Sequence, residues 1–142
     1  MSERVVCDAS ALVALLADDG PAGQWATAAL RGADLLGPHL VLFEAANILR
    51  HHELSGSITA DQAVQAHTDL LDLSIELWPY ETVAGRAWRL RKNLSVYDAA
   101  YVALAELVAT RLITLDRRLK RAPGIRCEVV TPGPRRSGRR RR

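Results

Sequence analysis

The segment Leu94–Asp116, LSVYDAAYVALAELVATRLITLD, allows few structures. Ser95 is a helix-capping residue, and Asp98, three positions on, completes a capping-box-like pair. From Ala99 to Ala109 only Tyr101 and Glu106 interrupt a run of apolar side chains. A helix that is apolar on almost every face is a buried helix. Thr110 and Arg111 break the run, and Leu112–Leu115 then read as a buried strand ending at Asp116. One carboxylate thus opens a buried helix and another closes the strand that follows. In an open parallel sheet, strand C-termini and helix N-termini gather on one edge, and sites form there.

The rest of the chain repeats this alternation. Arg4–Cys7 predicts a short strand with Val5 and Val6 buried and Asp8 at its C-terminal end. Ala9–Ala17 predicts an apolar helix stopped by Asp18, Asp19, Gly20 and Pro21. Helical spacing of Trp25, Ala26, Ala29 and Leu30 predicts a second helix over Ala22–Arg31, ended by Gly32. Asp34–Leu36 is a weak strand before a Gly37-Pro38 turn, and Leu40–Leu54 is a helix. On that helix Glu44, Asn47 and His51 share a face. Thr59 caps a helix over Ala60–Leu71, Ser74–Trp78 is a strand, and Glu81–Lys92 is a helix. This last helix has Val83, Ala84, Ala87, Trp88 and Leu90 as apolar positions and Arg86, Arg89, Arg91 and Lys92 as a basic face. Arg117–Arg121 is a short helical turn, and Cys127–Val130 is an edge strand. Strands alternating with helices pair in parallel and carry helices on both faces. The expected architecture is α/β, a three-layer α/β/α sandwich around a mostly parallel sheet of about five short strands.

A chain of 142 residues can bury one core. No apolar run is long enough to span a bilayer, and the N-terminus lacks a signal-peptide pattern, so a cytoplasmic protein without membrane contact is expected. Cys7 and Cys127 lack metal-type spacing and read as reduced thiols, and His39, His51, His52 and His67 lack zinc-ligand spacing. The net charge of +3 is carried by one end of the chain. Arg135, Arg136, Arg139, Arg140, Arg141 and Arg142 supply six of the 19 basic residues; without them, 13 stand against 16 acidic ones, a balance of −3. The sequence therefore divides into a domain over residues 1–131 and an arginine-rich tail over 132–142. The tail is expected to be disordered and is a candidate RNA-binding segment.

Four carboxylates now share an address. Asp8 and Asp116 end strands, Asp98 starts a helix, and Glu44 lies in an early turn of another. Crowded anions repel one another, and hard divalent cations relieve the repulsion. Mg²⁺ and Mn²⁺ take oxygen ligands, retain waters and combine with substrate phosphates. Such a site suits attack of an activated water on a phosphodiester, with one or two ions. Ser10 and Thr114, each two residues from an Asp, could orient a ligand or water. There is no P-loop and no GxGxxG after a strand, and no Ser or Cys nucleophile with a recognisable base. A phosphoacceptor receiver domain would need paired acids after the first strand and a Lys after a late one. Here Ala and Ser follow Asp8, and no Lys ends a strand.

At these residues the chain resembles the PIN-domain family, and most closely the VapC-type toxins of bacterial toxin–antitoxin pairs. The resemblance rests on Asp8-Ala9-Ser10 after a strand, Glu44-Ala-Ala-Asn47, the YDAAYVALAE stretch from Tyr97, and Thr114-Leu115-Asp116. It runs from about Val5 to Val130. It implies a Mg²⁺- or Mn²⁺-dependent endoribonuclease, usually dimeric, neutralised by a VapB-type antitoxin. Asp8, Glu44, Asp98 and Asp116 map onto the family's acidic quartet of catalytic and metal-binding residues. Ser10, Asn47 and Thr114 map onto its supporting polar positions. The arginine tail departs from the family pattern. The alternative within the same fold is a nuclease for structured DNA or RNA processing with no toxin role.

Overall fold

A computed structural model describes residues 2–134. Five strands form one sheet in the order β3-β2-β1-β4-β5, and every pairing is parallel. They are β1 (Arg4–Cys7), β2 (Asp34–Pro38), β3 (Ile75–Trp78), β4 (Leu112–Ile113) and β5 (Val129–Val130). Seven α-helices alternate with them: α1 (Ala9–Ala17), α2 (Pro21–Leu30), α3 (Leu40–Leu54), α4 (Ala60–Asp72), α5 (Ala84–Arg89), α6 (Val96–Leu107) and α7 (Arg117–Arg121). Helices α1, α2, α3 and α4 pack on one another, while α5 packs on α6 and α6 lies against β1, β2 and β4. This is the expected three-layer α/β/α sandwich.

The apolar run of α6 is buried as its composition requires: every residue from Ala99 to Ala105 is inaccessible, Tyr101 included. Ser95 accepts the Asp98 N–H at 3.1 Å, so its half of the anticipated capping pair is in place. The helix stops at Leu107, and Ala109 turns the chain with a left-handed φ of 55°. Val5, Val6 and Cys7 of β1 and both residues of β4 are fully enclosed, which puts the centre of the core at the β1–β4 pair.

Several boundaries differ from the sequence expectation, each for a physical reason. The Gly37-Pro38 turn is the end of β2, paired with Leu77 and Trp78. Pairing of β2 with β1 stops at Leu36, so Pro38 has a strand on one side only and its missing N–H breaks no ladder there. A Cβ at Gly37 would lie 3.1 Å from Val41 Cγ1, closer than ordinary packing. The helix expected over Glu81–Lys92 is a 3₁₀ turn at Tyr80–Thr82 followed by the shorter α5, because Val83 adopts φ −117° and interrupts it. Trp88, read there as an apolar packing position, is 57% exposed and stacks under Arg91 at 4.6 Å. Arg86 leaves the basic face: it pairs with Glu106 at 2.6 Å and donates to the Gly124 carbonyl at 2.7 Å, pinning the segment that leads to β5. Strand β4 is two residues, not four; Thr114 follows in the register that pairs Cys7 with Ile113, which sets it beside Asp8, and its N–H still reaches the Val130 carbonyl at 3.1 Å. Strand β5 is likewise confined to Val129–Val130, where it meets Leu112 and Ile113. Helix α2 begins at Pro21, which suits a first helical position, and ends at Leu30.

Candidate active site

The strand order places a topological switch at β1. Chain progression runs outward through β2 and β3, then returns to the other side of β1 to lay down β4. In open α/β sheets the crevice outside the strand C-termini at such a switch is the usual ligand site. Here it is a cleft of about 250 Å³ lined by Asp8, Ser10, Glu44, Asn47, Asp98, Tyr101 and Asp116, together with Ala9 and Ile48. All four predicted acids and two of the three supporting residues come together. Thr114 lies directly behind, fully buried.

Asp8 is built in most firmly. It caps α1 by accepting the Ala11 N–H at 3.1 Å, and it accepts the Ser10 hydroxyl at 2.7 Å on the same oxygen. Thr114 Oγ1 donates to the other oxygen at 2.5 Å. Both hydroxyls then accept from the loop after β4: Ser10 from Leu115 N–H at 3.1 Å, Thr114 from Asp116 N–H at 3.0 Å. Two hydroxyls thus stitch the end of β1 to the end of β4, and the positions of Asp8 and Asp116 are coupled through them. Only 8% of Asp8 is exposed. Burial pushes its carboxyl above the ordinary carboxylate range, the Ser10, Thr114 and Ala11 donors oppose the rise, and Asp98 adds to it.

Glu44 and Asp98 are half-buried on two different helices. Burial raises the Glu44 carboxyl, the Tyr101 hydroxyl counters this, and Asp98 and Asp8 push it further up. Tyr101 donates to Glu44 Oε1 at 2.5 Å and so ties α6 to α3 across the cleft. Burial followed by Glu44 lifts the phenol far above its usual range, so it stays a donor at all ordinary pH. Burial and then Asp116 raise Asp98, with Arg118 and the Ser95 hydroxyl acting the other way. Asp116 alone is lowered, chiefly by its hydrogen bonds with Arg118.

The sequence reading missed two participants. Tyr101 was read as a break in an apolar run. Its position three residues after Asp98 puts both on one face of α6, which is the signal that could have found it. Arg118 was read only as part of a basic turn. His51, placed by spacing on the face of Glu44 and Asn47, is exposed and does not line the cleft. Cys7 and Cys127 are free thiols. The six arginines of the tail lie outside the described residues.

The polar donors of the cleft are all oxygen apart from the Asn47 amide nitrogen, and three of the four carboxylates are raised by burial and by one another. That chemistry fits a hard divalent cation and not zinc. Among the described residues no three His, Cys, Asp or Glu side chains form a ready-made ligand group.

The PIN domain profile matches residues 5–125. The chain belongs to the PIN-domain family, among its VapC-type members. Ribonuclease VapC1 of Mycobacterium tuberculosis is 36% identical over 128 residues, 89% of this chain and 96% of that protein. Ribonuclease VapC9 of the same organism is 37% identical over 127 residues, with the same coverage of 89% and 96%. Among solved structures, PAE2754 from Pyrobaculum aerophilum superposes with a TM-score of 0.58 at 29% identity, covering 85% of this chain and 86% of its own.

Proposed function

We propose that this chain is an endoribonuclease, the toxin of a type II toxin–antitoxin pair, using Mg²⁺ or Mn²⁺ held as one or two ions by Asp8, Glu44, Asp98 and Asp116. The observation that carries the reading is the convergence of these four acids, from separate elements, on one cleft at the switch point. The relatives named as ribonucleases supply the substrate class. When bound, the metal would polarise a phosphodiester oxygen and lower the pKa of a coordinated water. The chain's own residues keep the ligands in place beforehand. Ser10 and Thr114 fix Asp8, Tyr101 fixes Glu44, and the exposed Asn47 amide at the cleft mouth can donate to a phosphate oxygen. Asp8 and Glu44 are thus positioned before substrate arrives.

The test is cleavage of single-stranded RNA, structured RNA and flap DNA by purified protein with Mg²⁺, Mn²⁺ or a chelator. Metal-dependent cutting of RNA is the expected result, and preferential cutting of flap DNA would replace the toxin reading with a processing nuclease. Expression alone should arrest growth, and co-expression of a VapB-type antitoxin should relieve it. Both outcomes would fit a cytoplasmic protein; no helix among the described residues is long and apolar enough to cross a membrane.

A homodimer completes the reading. Phe43 and Tyr97 are 76% and 62% exposed, and with Leu40 they line an apolar hollow that shares Glu44 and Asn47 with the cleft. Exposed aromatic surface of this kind suits burial against a second copy. A monomer in sedimentation at micromolar concentration would overturn it. Within the division into a nuclease domain over 1–131 and a tail over 132–142, the six arginines add phosphate affinity to a body of charge −3. Truncation after Pro134 should raise the half-saturating RNA concentration and flatten its salt dependence, by roughly 0.7 in log–log slope per lost contact. Identical slopes would mean the tail does not touch RNA.

A further inference from the structure

One cation already sits on the acidic cleft. Arg118 grips Asp116 with a two-pronged guanidinium fork, Nε to Oδ1 at 3.0 Å and Nη2 to Oδ2 at 2.7 Å. Both Asp116 oxygens are therefore engaged. The same guanidinium is close enough to Asp98 for each to favour the charged form of the other. Yet the Arg118 side chain is 81% exposed, so solvent and salt weaken its hold. Asp116 does not need this fork for its position: its Oδ1 also accepts the Arg118 backbone N–H at 2.9 Å, and its own N–H is held by Thr114.

We infer that Arg118 is a resident counter-ion of the cleft, which competes with a divalent ion for Asp116 and which, once displaced, is free to bind a phosphate oxygen of the substrate. The inference rests on the reading of the four acids as a metal site. The Arg118 fork and backbone N–H together take three of the roughly four acceptor positions of the Asp116 carboxylate, and like charges repel, so a guanidinium and a divalent cation compete there. The arginine neutralises the crowded acids when no metal is present and yields to a doubly charged ion. Its planar fork matches phosphate as well as it matches carboxylate.

The experiment is titration of Mn²⁺ into metal-stripped wild-type, Arg118→Ala, Arg118→Lys and Lys120→Ala proteins, followed by calorimetry and by thermal shift. Lys120→Ala removes the same unit of charge from the same helix at a residue that makes no bond to Asp116. Arg118→Ala should bind Mn²⁺ roughly two- to fivefold more tightly than wild type at low salt, the range expected for loss of an exposed competing ion pair. Arg118→Lys should fall between, and Lys120→Ala should stay near wild type. At saturating Mn²⁺, Arg118→Ala should also need severalfold more RNA for half-saturation. A tighter metal site in a truncation variant is not what general damage would produce. Unchanged or weaker Mn²⁺ binding by Arg118→Ala, or equal tightening by Lys120→Ala, would overturn the inference. Absence of Mn²⁺ binding by the wild type would instead defeat the metal-site reading beneath it.

Discussion

Asp8→Asn is expected to lower the turnover of RNA by at least ~10²-fold, with Glu44→Gln, Asp98→Asn and Asp116→Asn giving losses of the same order. Each substitution preserves shape and removes one negative charge from the cleft. A group that stabilises charge in a water-poor site is worth about 3 kcal/mol or more in the transition state, which sets the scale. Asp8 should be the most sensitive, because its two oxygens are already committed to Ser10, Ala11 and Thr114. An asparagine there would turn its NH₂ toward donors that need an acceptor, so one of the two hydroxyls stitching β1 to the loop after β4 would lose its partner. Asp116 would then be displaced as well, through its N–H bond to Thr114. Combined Asp8 and Asp116 substitutions should for that reason cost less than the product of the single effects. The measurement is initial cleavage rate at saturating metal and RNA, alongside circular dichroism to confirm folding. Near-normal turnover by folded Asp98→Asn would remove that residue from the site.

Asp8, Asp98 and Asp116 were legible in the sequence because they stand at or beside boundaries between regular elements, and Glu44, inside α3, because it shares a helix face with Asn47. Asp8 and Asp116 cap α1 and α7 through Ala11 N–H and Arg118 N–H, so the ordinary capping role and the cleft role coexist in the same side chain. Parallel pairing followed from strand–helix alternation and puts strand C-termini on one edge; the strand order, with its switch at β1, is visible only in the structure. What was not legible depends on contacts remote in sequence. Thr114 and the face of Tyr101 have local signals, but their partners do not: Tyr101 reaches Glu44 across 57 positions and Thr114 reaches Asp8 across 106. The overlong strands at Leu112–Leu115 and Cys127–Val130 failed for a related reason. Apolar composition marks burial but cannot say where the hydrogen-bond ladder ends. The helix expected over Glu81–Lys92 failed at Val83, whose φ of −117° separates a 3₁₀ turn from α5; Trp88 lies inside α5 and faces solvent beside Arg91.

Metal-free protein should become more stable as the pH is lowered from neutrality toward the ordinary carboxylate range, and protein saturated with Mn²⁺ should become less stable over the same interval. The sign follows from three carboxyls. Asp8, Glu44 and Asp98 are all raised in the fold, by burial first and by neighbouring acids after it. Between the unfolded and folded values, the native state holds more protons than the unfolded chain, so stability falls as pH rises through that window and is regained on acidification. Asp116, lowered by Arg118, and Glu106, lowered against its burial by Arg86 and Arg126, act oppositely: their contributions are present above the unfolded value and are lost only as pH falls through the lower folded values. The three raised groups outnumber these two and titrate nearer neutrality. Bound metal reverses the slope, because protons then compete with the ion for the same oxygens. At a hundredfold excess over its dissociation constant, the ion adds about 2.7 kcal/mol at neutral pH. In a chain of this length that gain is a rise on the order of 10 °C in Tm. Asp98→Asn should separate the two effects, since removing one of the repelling charges should raise the Tm of the metal-free protein at pH 7 while shrinking the Mn²⁺ gain. Thermal melts of wild type and Asp98→Asn, across mildly acidic to neutral pH with chelator or with Mn²⁺, read all of this at once. Parallel pH slopes in the two conditions would mean that the four acids do not share a cation.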